Sequence, residues 1–272
     1  MVSLIKKLLI VFVVLIVINV GFVWYGQANF KATIKSLGKA FIENNVTSSP
    51  VTQKLPAPIE RYIKQSNLSQ NSYKALAFQF DGEYSPKPSK TVEMHTLVLL
   101  RPTPDMFLAV RLDSNPIVTF NAIESYHNGQ ANMQTMLFGV IPTGEFNDEK
   151  FARSELARLL AYSVFNPVLL KSKYIKYKIV DTTHTKATIT DGKIEASVIF
   201  VSDRSGKIIE VQSSDRFRPV NKKLQRATWK MRIFSYGKAD GLNLPKDVEE
   251  MWIENGNGIT YSKYSVTSAK RL

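Results

Sequence analysis

The sequence predicts an α+β domain with one large, curved antiparallel sheet, half-barrel-like and covered by a few helices, preceded by an N-terminal transmembrane helix. Eighteen residues near the start, Leu8 to Tyr25, are apolar apart from Asn19. Beyond Tyr73, apolar residues recur at every second position in a long series of short runs, which is the period of a half-buried strand. So many strands exceed what a flat two-layer sheet carries, and we therefore expect the sheet to bend.

The apolar run at the N-terminus is interpreted as a membrane span. A helix of this length is about 27 Å long, close to the ~30 Å hydrocarbon core of a bilayer. Two lysines precede the run and three follow it within about 15 residues, so flanking charge barely distinguishes the two orientations. The short basic tail ahead of a long apolar run favours a signal anchor. We expect residues 1–28 to form that anchor in a single-pass cell-membrane protein with an extracytoplasmic domain.

The segment after the span is amphipathic. Its apolar residues recur at helical spacing on one face: Phe30, Ile34, Leu37 and Phe41. Two interpretations stay open, a helix lying on anionic lipid headgroups or a continuation of the anchor that packs against the domain. Residues 29–54 are assigned to this juxtamembrane helix and a polar linker, and residues 55–272 to a single β-rich domain.

Two further helices are predicted within the domain. The first lies in residues 55–67, where Pro58 fits a first helical turn and Ile59, Tyr62 and Ile63 form one apolar face. The second is longer and covers residues 147–165, with Asn147 or Asp148 as its N-cap. Its apolar face is Phe151, Leu156, Leu159, Leu160 and Val164, whereas Arg153 and Arg158 are expected to face water.

Alternating runs bounded by proline, glycine and asparagine predict the strands. Strands joined by such short turns pair in the antiparallel sense. The predicted strands before the long helix are 73–81, 92–101, 106–113, 117–126 and 130–140. Those after it are 174–181, 186–190, 193–202, 207–217, 228–238, 248–253 and 259–266.

Composition excludes several classes of function. The chain contains no cysteine, which rules out disulfides, thiolate zinc sites and thiol nucleophiles. A net charge of +13 points to an anionic partner. With an anchor present and no nucleic-acid-binding module in the sequence, the lipid bilayer and an anionic envelope component are the expected partners, and no nucleic acid is expected.

Few residues carry recognisable chemistry. His95, His127 and His184 are too far apart for a local metal motif, and structural or surface roles are expected for them. Asp81 and Glu83 share one strand face, so a carboxylate-dependent hydrolase is kept as a minor alternative, provided that both face a common cleft. No catalytic residue, cofactor or metal site is otherwise predicted.

Several short motifs together resemble an uncharacterised bacterial family of membrane-anchored proteins, known only as a domain of unknown function. They are Leu55-Pro-Ala-Pro, Arg61-Tyr62, Leu156-Ala-Arg-Leu-Leu with Pro167, Trp229, Tyr236-Gly237, Leu244-Pro245, Trp252 and Tyr261. The resemblance spans about residues 55–266 and implies a shape like the half-barrel of the periplasmic lipoprotein carriers. Tyr162 and Phe165 stand where that family tends to carry an acidic residue and a tryptophan, so no role of that carboxylate transfers.

A candidate ligand site follows from a dense basic run and the aromatic residues near it. The run, expected to be a loop, is Arg216, Arg218, Lys222, Lys223, Arg226 and Lys230. The sequence favours a non-enzymatic protein that binds a lipid or another amphipathic ligand, with arginine forks on the headgroup. The candidate site residues are Arg216, Arg218, Lys222, Trp229, Phe234 and Trp252. The alternative is a basic interaction scaffold for envelope polymer or a membrane-protein partner, with a filled core.

Overall fold

The computed structural model describes residues 2–43, 54–67, 73–115, 118–220 and 223–272. The helices are α1 (Val2–Glu43), α2 (Ala57–Gln65) and α3 (Glu149–Tyr162), with a 3-10 turn at Leu169–Lys171. Six strands precede α3: β1 (Leu76–Lys87), β2 (Lys90–Leu100), β3 (Met106–Asp113), β4 (Thr119–His127), β5 (Gln130–Leu137) and β6 (Ile141–Phe146). Seven follow it: β7 (Ile175–Ile179), β8 (His184–Asp191), β9 (Ile194–Ser202), β10 (Ile208–Val220), β11 (Lys223–Ala239), β12 (Leu242–Glu254) and β13 (Asn257–Arg271).

All 13 strands form one sheet in the order β6-β5-β4-β3-β2-β1-β13-β12-β11-β10-β9-β8-β7. Every neighbouring pair runs antiparallel. The strands before α3 form one arm, those after it form the other, and β1 joins the arms by pairing with β13. The predicted antiparallel sheet is confirmed.

The sheet is curled, as shown by a contact between two turns that are distant in strand order. Gly129, in the turn between β4 and β5, donates its backbone N–H to Asp191 Oδ2 at 2.8 Å, at the end of β8. Most of the sheet separates these two turns along the strand order. The two arms therefore fold towards each other around a concave face, as predicted.

Helices α2 and α3 fill much of that concave face. Ile59 of α2 and Leu156 and Leu160 of α3 are fully buried. Asp148 caps α3 as predicted, accepting the N–H of Phe151 at 2.8 Å. Apolar burial on this face is the main source of stability for both helices, since a helix as short as α2 is marginal alone.

The second half of α1 packs on the convex face of the sheet. Phe30 is 3% exposed and lies in a satellite cluster with Leu99, Phe107 and Ile123, while Leu37 remains 43% exposed. Of the two interpretations of the amphipathic segment, the structure shows packing against the domain. Most of the predicted linker, residues 44–53, lies outside the described residues.

The first half of α1 is a candidate transmembrane helix. The helix Ile5–Glu43 contains an 18-residue window of mean hydropathy 2.8 with none of it buried in the protein. Near Phe22 the helix reaches the turn after β5, where the rings of Phe22 and Phe138 are 6.0 Å apart. A Cβ on Gly26 would lie 2.0 Å from the Phe138 carbonyl oxygen, so only glycine permits this close approach.

The turn after β5 identifies the sheet edge nearest the candidate transmembrane helix. By strand register, the end of β5 is opposite the start of β4, and the same edge holds the end of β3 and the turn between β1 and β2. Tyr84 near the end of β1 pairs with Ser262, which places the turn between β12 and β13 there too. We call this the anchor-proximal edge.

Candidate functional site

The concave face is incompletely covered between α3 and the anchor-proximal edge. Phe120 at the start of β4 is 42% exposed there, and its cross-strand partner Leu112 is half-buried. On the other arm the ring of Tyr261 stacks on Trp252 at 5.5 Å and meets Tyr84 at 6.2 Å. We call the concave-facing side chains near this edge the apolar surface: Tyr84, Val110, Leu112, Phe120, Trp252 and Tyr261.

A buried charged cluster borders the apolar surface on the α3 side. It consists of two arginines and three glutamates: Glu155 and Arg158 of α3, Glu124 of β4, Arg216 of β10 and Glu250 of β12. Arg158 forms ion pairs with both Glu124 and Glu155. Arg216 Nη1 lies 3.1 Å from Glu155 Oε1 and donates to the Ser154 carbonyl oxygen at 2.9 Å. The cluster therefore links both arms of the sheet through α3.

Aromatic hydroxyls satisfy the remaining carboxylate of the cluster. Glu250 accepts hydrogen bonds from Tyr162 at 2.7 Å, from Tyr264 at 2.9 Å and from Tyr261. The Trp229 indole donates to the Tyr261 oxygen at 2.9 Å. Burial raises the pKa of Tyr261 well above its ordinary value, so its hydroxyl keeps its proton and can donate to the carboxylate.

The guanidinium of Arg216 is held between two indoles. Its Cζ lies 5.4 Å from the ring of Trp229 and 5.8 Å from that of Trp252. Desolvation alone would lower the pKa of Arg216, but Glu155 and the surrounding acidic groups hold it above its ordinary value. Arg216 is therefore a permanent buried cation with both aromatic and carboxylate partners.

Burial shifts the pKa of Glu155 in this cluster. Burial raises its pKa from an ordinary 4.5 to about 7, against the lowering effect of Arg216. Burial together with the charge of Arg216 lowers the pKa of Arg158 to about 10. Burial therefore favours the protonated form of Glu155, while Arg216 favours its carboxylate form.

The raised pKa of Glu155 predicts a pH dependence of stability. The folded protein binds this proton more tightly than the unfolded chain, so the stabilising contribution is complete below the unfolded pKa and declines as pH rises to the folded value. We expect the free energy of unfolding of the wild type, measured against Glu155→Gln, to fall by up to about 3 kcal/mol between about pH 4.5 and 7.5. Urea titrations across this range measure it, and a constant difference would contradict the assignment.

Three of the six predicted site residues are brought together. Arg216, Trp229 and Trp252 are 5%, 0% and 8% exposed and form one group. Arg218 pairs with Glu254 at the rim and keeps 30% of its side chain exposed. Phe234 is 67% exposed on the opposite, convex face, because the inward positions of β11 are Trp229, Met231 and Ile233. Lys222 lies outside the described residues.

Two expectations about this region are wrong. The described part of the basic run lies in strands, since β10 continues to Val220 and β11 begins at Lys223. Arg158 does not face water: its side chain is 11% exposed between two carboxylates. Its buried partners Glu124 and Glu155, and the nearby Glu250 that the tyrosines bond, are not among the residues that the sequence singles out. The i, i+3 spacing of Glu155 and Arg158 was the available local signal.

The histidines and the Asp81, Glu83 pair lie elsewhere. His95, His127 and His184 each contact an aspartate through Nδ1. Asp81 and Glu83 face the convex side of β1, because the alternate positions of this strand, Phe78 and Phe80, face the core. Asp81 bonds His95 and Thr267, whereas Glu83 lines a shallow depression with Lys263. The common cleft required by the hydrolase alternative is not formed by these two residues.

The comparisons with known proteins agree with the resemblance read from the short motifs. The model of DUF6544, a family of unknown function, matches residues 45–264. The chain belongs to this family. The match extends from before α2 into β13, close to the stretch of about residues 55–266 that the motifs indicate. No curated protein matches this DUF6544 member.

Three solved structures are similar to this DUF6544 protein at low identity. A DUF1329 family protein from Desulfovibrio piger has 12% identity and a TM-score of 0.43, covering 82% of this chain and 94% of that one. A proposed outer membrane lipoprotein-sorting protein domain from Vibrio parahaemolyticus has 10% identity and a TM-score of 0.44, covering 78% and 90%. A LolA superfamily protein from Nitrosomonas europaea has 8% identity and a TM-score of 0.35, covering 79% and 92%.

Proposed function

We propose that this DUF6544 protein is a membrane-anchored, extracytoplasmic binding protein for a lipid or another amphipathic molecule. The apolar part of the ligand lies on the apolar surface of the concave face. The observation that carries the proposal is the 42% exposure of Phe120 on the concave face, beside the half-buried Leu112. Concave apolar surfaces with a few polar groups at their border are the usual form of small-molecule sites.

The polar part of the ligand is assigned to the rim. Arg216 is already occupied by Glu155 and by a backbone carbonyl, and only 5% of it is exposed. Arg218 is more accessible and pairs with the half-exposed Glu254, an arrangement that an anionic headgroup can replace at small cost. Arg218 is therefore the side chain that binds the headgroup, and Arg216 with its two indoles supports the wall beside it.

The anchor accounts for the position of the site. The apolar part of α1 leaves the domain at the anchor-proximal edge, where Phe22 meets Phe138. With that part of α1 in a bilayer, the apolar surface lies on the side of the domain nearest the membrane. A lipid then passes between membrane and protein without crossing a long aqueous path.

Tryptophan quenching tests the proposal, because the chain contains three tryptophans. In full-length Trp24→Phe protein held in amphipol, Trp229 and Trp252 report on the concave face, and a brominated fatty acid is the quencher. We expect saturable quenching that weakens at least about tenfold, or about 1.4 kcal/mol, in Phe120→Asp.

Phe234→Asp is the matched control, since it introduces the same charge on the convex face, and its affinity should be unchanged. Equal affinities in the two variants, or no saturable quenching at all, would refute lipid binding. If the protein showed no saturable quenching but bound an anionic wall polymer in a salt-sensitive way, the alternative function as a basic interaction scaffold would be favoured instead.

A further inference from the structure

The convex face carries an unfavourable row of carboxylates near the anchor-proximal edge. Glu83 of β1 lies directly opposite Glu93 of β2, which lies directly opposite Asp113 of β3. Like charges in direct cross-strand positions destabilise a sheet. Cations already lie at both ends of the row, since Lys263 is directly opposite Glu83 and the Arg111 guanidinium contacts Asp113, whereas Glu93 in the middle has no lysine or arginine ion pair among the described residues.

His95 is directed into this row by a neighbouring carboxylate. Its Nδ1 lies 2.7 Å from Asp81 Oδ1, and because a carboxylate accepts, Nδ1 carries the proton. Nε2 then points at Glu93 Oε1, 3.2 Å away, and Asp113 Oδ2, 3.7 Å away. With Nε2 facing two carboxylate oxygens, the arrangement is favourable either when Nε2 carries a second proton or when a metal cation lies between these atoms.

We propose that Glu93, His95 and Asp113 bind a divalent transition-metal ion of the Zn²⁺ class. One ligand atom from each residue lies within 4.8 Å of the other two. Ligand atoms of a tetrahedral zinc site are about 3.3 Å apart, given metal–ligand distances of about 2.0–2.1 Å. The observed 3.2 Å and 3.7 Å need only small side-chain shifts to reach that geometry.

Two further contacts suit a metal site. Asp81 gives His95 the outer carboxylate partner that metal-binding histidines commonly have, which fixes the ring and raises its basicity. Asp113 Oδ1 is buried and has no hydrogen-bond partner among the described residues, whereas Oδ2 already accepts from Arg111 at 2.8 Å. Because the oxygen 3.7 Å from Nε2 is Oδ2, a metal would either share Oδ2 with Arg111 or bind Oδ1 after the carboxylate rotates. The site lies on the opposite face from the apolar surface and is independent of the proposed lipid binding.

Zinc titration of the tag-free full-length protein in detergent tests this inference by calorimetry. We expect one Zn²⁺ per chain. Glu93→Gln should weaken binding at least tenfold, and because 66% of that side chain is exposed the variant should still fold. Asp81→Asn keeps all three ligands and should weaken binding by about 10- to 100-fold through the ring of His95.

His184→Ala is the matched control, since His184 also contacts an aspartate, Asp181, through Nδ1. Its zinc affinity should equal that of the wild type. The inference is overturned if wild-type protein binds no zinc at 100 µM, taken as roughly the upper limit for a specific site. It is also overturned if Glu93→Gln and Asp81→Asn bind as tightly as wild type, or if His184→Ala abolishes binding.

Discussion

Replacing Arg158 with methionine is expected to destabilise the protein by about 3–5 kcal/mol, because it removes one partner from a buried ion-pair network. Glu124 and Glu155 both lose their contact with this guanidinium, and their side chains are only 10% and 2% exposed. Glu155 retains Arg216, but Glu124 retains no other ion-pair partner among the described residues. The free energy of unfolding from urea titration, followed by tryptophan fluorescence, measures the effect.

Arg226→Met is the control for that variant. Arg226 pairs with Asp215 but is 59% exposed, so water screens the pair and the loss should stay below about 1 kcal/mol. Similar losses in the two variants would show that Arg158 is solvated. The charged cluster would then not be the link between the arms of the sheet.

Trp229→Ala is the second substitution with a large expected effect, a loss of about 3–5 kcal/mol in the free energy of unfolding. The indole is fully buried, packs beside Arg216 and donates a hydrogen bond to Tyr261. Removing it leaves a cavity and also removes the donor to the Tyr261 hydroxyl. Chemical denaturation followed by circular dichroism avoids any dependence on the fluorescence of the deleted residue.

Phe234→Ala provides the comparison on the same strand. Phe234 is 67% exposed on the convex face, and a surface substitution of this kind usually changes stability by less than about 0.5 kcal/mol. A large loss in Phe234→Ala with a small one in Trp229→Ala would mean that β11 presents its other face to the core.

The elements that sequence predicted well are those fixed by local chemistry. Helix α2 follows from its prolines and one apolar face, and the strands follow from alternation between glycine-containing turns. Strand β6 was missed because the turn before it places Phe138 at φ 56° and Gly139 at φ 76°. A bulky residue rarely adopts a positive φ, so the sequence predicts one strand over residues 130–140.

The charged cluster could not be predicted because it depends on the curl of the sheet. Glu155 and Arg216 are 61 residues apart and meet only when α3 lies between the two arms. Arg216 also follows a register shift between Ser213 and Arg216, and this bulge turns it to the concave face. For Phe234, in contrast, simple alternation from Trp229 through Met231 already indicated the convex face.

Mapping the position of a bound alkyl chain tests the central proposal most directly. Full-length protein in amphipol would be irradiated with a diazirine-labelled fatty acid, and the modified residues identified by mass spectrometry. We predict labels on the apolar surface, at Val110, Leu112, Phe120 and Tyr261, which unlabelled fatty acid removes by competition. Labels confined to the apolar part of α1 and to convex residues such as Phe234 would contradict a lipid site on the concave face.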